Sequence, residues 1–452
     1  MQPVGRLLLY GGTGPPHPQL DPVLVMQTNR SVYTRLQTPR QGTALFLLCW
    51  AAYAAAYVGR YNYSAVMSAM TAEGVLTLQV AGAISTGYFL CYALGQILSG
   101  LACQRISPYS MIFAGLTLSG LCNLGMGWAP PAAMAVLWSA NGLFQAMIWP
   151  PIVRLFAECM PLPQQKGACI NINSTTPAGT LISYALCAVL LALTGWRMAF
   201  TTSALVLLVM AGVWVFATVP LRRATPATAA EPAEPAAAEP AAHRSRAGVL
   251  GPLLAAGLIW LAVPVILHGA LKDGVTSWVP TMVQANFAVT PALSAAVSMV
   301  LPLVNLSGAY LAGWLDRLLR NELKTCAVLF AAASVALALL PLAVEWSLAA
   351  AMVLLAVTTA AMLGINTLFI NVMPVRAGRT GGAAALSGML NAVTYLGAAA
   401  ATWGVGVAAD TWGWSAVFAL WLAMALISLA AVWCCAGRWA RFANAQEEGS
   451  AS

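Results

Sequence analysis

Long apolar stretches are the feature that most limits what this chain can fold into. Each has about the twenty residues that an α-helix needs to cross the hydrocarbon core of a bilayer. The chain is 60% hydrophobic and only 8% charged, with a mean hydropathy of +0.78, so one soluble core could not bury its apolar surface. The stretches also lack the period-two alternation of membrane β-strands. The sequence therefore predicts an all-α polytopic membrane protein.

Twelve such stretches predict twelve membrane helices. Their expected ranges are 43–70, 78–101, 109–128, 132–160, 166–193, 197–220, 249–287, 289–315, 324–343, 347–374, 380–409 and 412–436. The sixth and seventh are separated by an Ala/Pro/Glu-rich segment from Arg222 to Arg246, whose repeated prolines forbid a continuous helix.

This break predicts five regions. They are a disordered cytoplasmic tail (1–42), a six-helix bundle (43–220), a cytoplasmic linker (221–248), a second six-helix bundle (249–436) and a cytoplasmic C-terminal tail (437–452).

The basic residues indicate how the helices are oriented. With both termini in the cytoplasm, 18 of the 21 basic residues lie in cytoplasmic segments and only Arg197 lies in an outer loop. This bias accounts for the net charge of +8 without a nucleic-acid partner. We therefore expect an integral membrane protein in contact with the lipid bilayer, with both termini in the cytoplasm. Two further expectations are a bacterial cytoplasmic (inner) membrane and a monomeric state.

The two halves repeat each other at a nearly constant offset. Arg60 and Lys272, the two basic residues within helices, are 212 residues apart. Gly195-Trp196-Arg197 is echoed by Gly413-Trp414-Ser415 at an offset of 218. Two duplicated six-helix bundles with a site between them near mid-membrane resemble the architecture of a major facilitator transporter.

Arg60 lies among polar and aromatic residues inside the first apolar stretch, in the segment Tyr57-Val58-Gly59-Arg60-Tyr61-Asn62-Tyr63. A guanidinium at that depth costs several kcal/mol unless a partner or a wet cavity receives it. The duplication would make Arg60 and Lys272 face each other, and an anion would relieve their repulsion. The alternative is that both side chains reach out to the outer headgroups.

Asp273 directly follows Lys272 and has three interpretations. It is a neutralising partner of Lys272, a proton-binding coupling group, or an outward-facing surface carboxylate. Adjacent helical positions point about 100° apart, so Lys272 and Asp273 are not expected to face the same spot fully.

Chemistry other than transport has little support in the sequence. No Walker loop, dinucleotide-binding turn or metal-ligand spacing is visible, and the histidines are far apart at His17, His243 and His268. The ten cysteines are scattered, mostly within apolar stretches, and are expected to behave as small hydrophobic residues. We expect no catalytic residue, no metal and no cofactor.

Several segments resemble the organophosphate:inorganic phosphate antiporter family of the major facilitator superfamily. They are YAAAYVGRYNYSAVM (53–67), NGLFQAMIWPP (141–151), GALKDGVTSWVPT (269–281), SGMLNAVTYLGA (387–398) and ADTWGWSAVF (409–418). This family includes bacterial glycerol-3-phosphate and hexose-phosphate transporters. The resemblance implies twelve helices, alternating access, and exchange of inorganic phosphate for a phosphorylated small molecule.

The resemblance also implies a binding site. Arg60 matches the family's phosphate-binding arginine, and Lys272 falls where the glycerol-3-phosphate transporter has a second arginine. The remaining expected substrate-binding residues are Tyr53, Tyr57, Asn62, Tyr92, Trp149 and Tyr395, of which the aromatic ones match positions that line the family's cavity. The chain departs from the pattern at Gln96 and Pro177, which replace a lysine and a histidine and lower the cavity charge.

The sequence therefore predicts a secondary active transporter of a small organic anion, most simply an organophosphate exchanged for phosphate. One alternative is a proton-coupled carboxylate transporter in which Asp273 titrates. Another is a transporter-like membrane sensor of organophosphates. An enzyme is the least expected class.

Overall fold

The computed structural model describes residues 31–103, 105–229, 258–373 and 383–448. Within these ranges, twelve helices are long and apolar enough to cross a membrane, which confirms the predicted number. They are α1 Pro39–Ala72, α2 Leu78–Ala102, α3 Pro108–Met126, α4 Pro131–Phe156, α5 Leu162–Leu193, α6 Trp196–Ala224, α7 Ile259–Phe287, α8 Pro291–Leu319, α9 Glu322–Trp346, α10 Leu348–Val372, α11 Met389–Trp412 and α12 Trp414–Ala443.

Proline and capping side chains set where several helices begin. Thr38 caps α1 through its hydroxyl, which accepts from the Gln41 amide at 3.3 Å, and Pro39 occupies the first turn. The helix therefore begins four residues before the predicted position 43. Thr77 and Thr290 cap α2 and α8 in the same way, at 3.2 and 3.3 Å.

Several membrane helices are interrupted where a proline removes a backbone donor. The Trp149-Pro150-Pro151 segment interrupts α4: one helical piece spans Pro131–Gln145, and the next begins at Trp149. In α5, a short 3₁₀ turn at Ile172–Ser174 precedes Pro177. The end of α10 widens into a π-helix at Thr367–Val372, a feature that is frequent at functional sites.

The predicted repeat is visible in the backbone. Gly195 and Gly413 each stand directly before the last helix of their half, with φ values of +100° and +77°. Only glycine adopts this conformation without strain, so both halves make the same turn with the same residue. The fold comprises two pseudo-symmetric six-helix halves.

A two-stranded antiparallel sheet joins the two segments that flank the first half. Strand β1, Ser31–Tyr33, pairs with β2, Ala227–Ala229. The predicted tail thus contributes its last residues to ordered structure, and the predicted linker its first. Most of both regions (1–30 and 230–257) lies outside the described residues.

The two halves are in contact at one end of the bundle, here called the outer end and defined by the end of α1 at Ala72 and the start of α2 at Leu78. The Gln79 backbone N–H donates to an Asp410 carboxylate oxygen at 2.6 Å. Farther in, the Thr86 hydroxyl donates to the Ala399 carbonyl at 2.7 Å and lies 3.1 Å from the Thr402 hydroxyl oxygen. These contacts between α2 and α11 close the space between the halves at the outer end.

Candidate functional site

The side chain of Arg60 is buried between the halves, with 7% of its surface exposed. Its guanidinium carbon lies 4.7–5.8 Å from the centroids of six aromatic rings. These rings belong to Tyr57, Tyr61, Tyr88, Phe89, Tyr92 and Tyr395. Among the described residues, no carboxylate lies within 4.0 Å of the guanidinium. The rings offer cation–π attraction but no compensating charge, so this site attracts an anion.

A belt of polar side chains holds the backbone of α1 at the level of Arg60. The Asn123 and Asn141 amides both donate to the Gly59 carbonyl, at 3.2 and 3.1 Å. The Ala56 carbonyl accepts from Gln145 at 3.0 Å, and the Val58 carbonyl accepts from the Ser183 hydroxyl at 3.1 Å. The belt comes from α3, α4 and α5. It fixes both the depth and the rotation of the helix that carries Arg60.

Asn62, on α1 itself, binds to this belt. It is fully buried, and its side-chain amide donates to the Asn123 side-chain oxygen Oδ1 at 2.8 Å. In this conformation the side chain therefore faces α3 and not the space around the guanidinium. Sequence reasoning singled out Asn62 but missed Asn123, Asn141 and Gln145. Their signal is that amide side chains occupy the middle of apolar stretches, where each needs a partner.

Lys272 and Asp273 form an ion pair, with 2.8 Å between the ammonium nitrogen and a carboxylate oxygen. Asp273 is only 2% exposed, which contradicts its interpretation as a surface carboxylate. The expected divergence of adjacent helical positions does not separate the two charges, because the four-carbon stem of lysine can fold back onto the next residue. Lys272 is therefore largely neutralised, whereas Arg60 is not.

Tyr395 connects the two cationic residues. Its ring centroid lies 5.6 Å from the guanidinium carbon of Arg60 and 5.8 Å from the Lys272 ammonium. Tyr395 also contacts Tyr92 at 5.0 Å between ring centroids. Arg60 and Lys272, which the sequence places in opposite halves, thus both lie within 5.8 Å of the centre of the Tyr395 ring.

On the inner side of Arg60, Tyr57, Tyr53 and Trp149 form a continuous row of aromatic contacts, here called the aromatic ladder. Tyr53 stacks on Trp149 at 5.0 Å and contacts Tyr57 edge-to-face at 5.1 Å. The Tyr57 hydroxyl accepts a hydrogen bond from Thr176 at 2.9 Å. The helix break in α4 places Trp149 at this stack, so the proline pair and the aromatic ladder are linked.

His268 lies one turn before Lys272 on α7 and is fully buried. Its Nε2 is 2.9 Å from the Met362 carbonyl oxygen. Because a carbonyl only accepts, Nε2 carries the proton, and Nδ1 has no partner among the described residues. The sequence did not distinguish this histidine from an ordinary packing residue.

Arg60 separates two small cavities. The inner cavity is lined by Tyr53, Ala56, Tyr57, Tyr92 and Gln145 as well as Arg60. The outer cavity lies toward the closed end, and its lining includes the hydroxyls of Ser64, Ser85 and Ser277. No group of three or more potential metal-ligating side chains occurs within the part of the chain that the structure describes.

Comparison with known proteins gives a consistent picture. A family model described as "Major Facilitator Superfamily" matches residues 49–402. The membrane sensor protein UhpC of Salmonella typhimurium is 26% identical over 163 residues, which cover 36% of this chain and 37% of the sensor. The glycerol-3-phosphate transporter of Bacillus subtilis is 23% identical over 307 residues, which cover 64% of this chain and 68% of that transporter.

The alignment to the sensor spans little more than a third of that protein's length. The fold comparison is more extensive. A bacterial homolog of the human lysosomal transporter Spinster, in an inward-facing and unoccupied conformation, superposes with a TM-score of 0.68 at 13% identity. The match covers 91% of this chain and 99% of that one. At this identity it shows a shared fold alone.

Proposed function

Because the chain belongs to the Major Facilitator Superfamily, we propose that it is a secondary active transporter that exchanges a phosphorylated small molecule for inorganic phosphate by alternating access. The observation that carries this proposal is the buried guanidinium of Arg60, which has aromatic neighbours and no carboxylate within 4.0 Å among the described residues. The similarity to the glycerol-3-phosphate transporter supports a phosphate ester as the substrate class. Transport accounts for this site without any catalytic group.

The electrostatics of Arg60 support anion binding. A buried charge without a counter-ion is costly, because desolvation in a low-dielectric interior is not repaid. Binding of a phosphoryl group offsets much of this desolvation free energy, since a guanidinium donates hydrogen bonds to two of its oxygens side by side. In this proposal Arg60 is the primary anchor of the substrate.

In this proposal Lys272 binds the substrate only when the substrate displaces Asp273 from its ammonium. It is already paired with Asp273, so a substrate oxyanion competes with that carboxylate for the ammonium. Tyr53, Tyr57, Tyr92, Trp149 and Tyr395 contact the organic portion of the substrate, and Asn62 keeps α1 in place through Asn123.

The proposed exchange follows from the same charges. Anion binding between the halves favours closure around the cations, whereas the empty carrier keeps an uncompensated guanidinium and re-orients slowly. Net uptake without a counter-substrate is then slow. We propose that the protein works as a monomer in a bacterial cytoplasmic membrane with both termini in the cytoplasm, as the distribution of basic residues supports.

The test uses purified protein in vesicles that are either preloaded with phosphate or empty. Uptake of labelled phosphate is expected only into preloaded vesicles. Arg60→Ala should abolish it while leaving the amount of reconstituted protein unchanged. Arg197→Ala is the matched control, because Arg197 is exposed and its guanidinium carbon lies 4.3 Å from the centroid of the Trp196 ring, away from the cavity. Equal uptake into empty vesicles, or full uptake by Arg60→Ala, contradicts the proposal.

A second candidate function is sensing, favoured by the similarity to the membrane sensor protein UhpC. A sensor would bind an organophosphate in the same cavity and transmit the event to a partner. Thermal stabilisation by phosphate esters, combined with no flux in either vesicle preparation, would select this function over transport.

A further inference from the structure

The outer cavity brings three serine side chains to one face of Arg60. Ser64 comes from α1, Ser85 from α2 and Ser277 from α7, and their exposed fractions are 6%, 6% and 4%. Serine hydroxyls in membrane helices usually bond to a carbonyl of their own helix or of a neighbour. None of these three hydroxyls makes a hydrogen bond to another of the described residues.

The chemistry of this pocket is that of a donor cluster. A guanidinium only donates, and a hydroxyl hydrogen rotates toward whichever acceptor is present. The three hydroxyls and the guanidinium are therefore all available as donors to an acceptor bound in this cavity. Among the described residues, the nearby carboxylate of Asp273 is already paired with Lys272.

Size limits what the acceptor can be. In this conformation the cavity has room for about one water molecule, and the contacts of α2 with α11 close it at the outer end. A phosphate ester does not fit without separation of the halves. A water molecule fits but leaves the Arg60 charge uncompensated.

We propose that the pocket of Arg60, Ser64, Ser85 and Ser277 is a site for a monatomic anion, chloride in the cell. Chloride is little larger than water, accepts from all four groups and supplies the missing negative charge. The substrate reaches Arg60 from the aromatic inner face, so the two anions approach opposite faces of one guanidinium. This site does not depend on which organic anion is carried.

The experiment measures thermal unfolding of the full chain purified in detergent, without phosphate, in sodium chloride or sodium gluconate at equal ionic strength. Chloride should raise the Tm in a saturable way, because it binds the folded state. The triple variant Ser64→Ala/Ser85→Ala/Ser277→Ala should need at least about tenfold more chloride for the same shift, since hydrogen bonds to a charged group are lost. The three single variants, expected to show smaller increases, keep the test available if the triple variant is unstable.

Ser68→Ala is the matched control. Ser68 lies one turn after Ser64 on α1 and is fully buried, and its hydroxyl also has no hydrogen-bond partner among the described residues, but it does not line the pocket. Its substitution should leave the chloride dependence of the Tm unchanged. An anomalous diffraction peak from bromide, beside Arg60 and the three serines, would locate the ion directly.

Three results would overturn the proposal. One is a Tm that is the same in chloride and gluconate, which indicates that water fills the pocket. The second is a chloride effect of equal size in the triple variant, and the third is a bromide peak on the Tyr57 side of Arg60. Phosphate exchange by the unmodified protein is measured separately, so none of these results bears on the transport proposal.

Discussion

Two neighbouring residues on α7 and one on α1 determine the charge of the cavity. Lys272 and Asp273 lie 2.8 Å apart and neutralise each other, while the guanidinium of Arg60 is surrounded by six aromatic rings and, among the described residues, has no carboxylate within 4.0 Å. The site therefore carries about one net positive charge, rather than the two that the sequence suggested. We expect this difference to influence which anions bind.

The substitution Asp273→Asn should show whether Asp273 lowers the affinity of the cavity for anions by neutralising Lys272. The substitution leaves Lys272 without its carboxylate, so a dianion meets one more positive charge at short range. Inorganic phosphate should then inhibit substrate uptake at a concentration at least about tenfold lower, because one charge pair at about 4 Å contributes roughly 4 kcal/mol at an effective dielectric constant near 20 and a tenfold change needs only about 1.4 kcal/mol. Competition assays in vesicles measure this directly.

Glu345→Gln provides the control, because Glu345 is an exposed carboxylate outside the cavity. Unchanged inhibition by phosphate in Asp273→Asn would argue against charge competition at Lys272. If uptake also lost its dependence on a proton gradient, Asp273 would instead be the coupling group of a proton symporter.

At the scale of the helices, close approach between α7 and α11 positions Lys272 against Tyr395. Gly397 packs against the Ile266 carbonyl, and Gly269 packs against the Thr394 carbonyl. A Cβ atom at either position would meet backbone, which cannot move aside as a flexible side chain can. These two glycines allow the helices to pack closely, as small residues do in membrane bundles.

Gly397→Ala should therefore separate the two helices. We expect a loss of about 1–3 kcal/mol in folding stability, the usual cost of overpacking a rigid core site, and weaker substrate binding because Tyr395 moves. Gly404→Ala on the same helix is the control, since a Cβ there meets nothing within 4 Å. Thermal unfolding of both variants measures the difference; equal stability would mean that α7 and α11 can move apart without cost.

At the scale of the whole molecule, alternating access requires that the outer contacts between α2 and α11 open. The hydroxyl oxygens of Thr86 and Thr402 lie 3.1 Å apart, one in each half. Cysteines at these two positions would place their sulfur atoms within reach of each other. The double variant Thr86→Cys/Thr402→Cys should lose transport on oxidation and regain it on reduction.

The two single variants, treated with the same oxidant, control for the ten native cysteines, most of which are buried. Transport that persists in the cross-linked protein would show that the outer end does not open in this way. The assay is phosphate exchange in vesicles, with cross-linking quantified by mass spectrometry.

The sequence predicted the large features because they depend on local patterns. Helix number follows from apolar length, the break at Trp149 follows from Pro150 and Pro151, and the repeat shows in Gly195 and Gly413. Each of these is a property of a segment that the bilayer imposes whatever the other helices do.

By itself, then, the sequence determined the membrane fold, its duplication and the presence of two cations within helices. Only the tertiary structure decided which charges and hydroxyls have partners. It paired Lys272 with Asp273, turned Asn62 toward Asn123, and left three serines facing Arg60. The physical reason is that hydrogen bonds and charge compensation depend on distances of a few ångströms between helices far apart in the chain, and hydropathy carries no information about those distances.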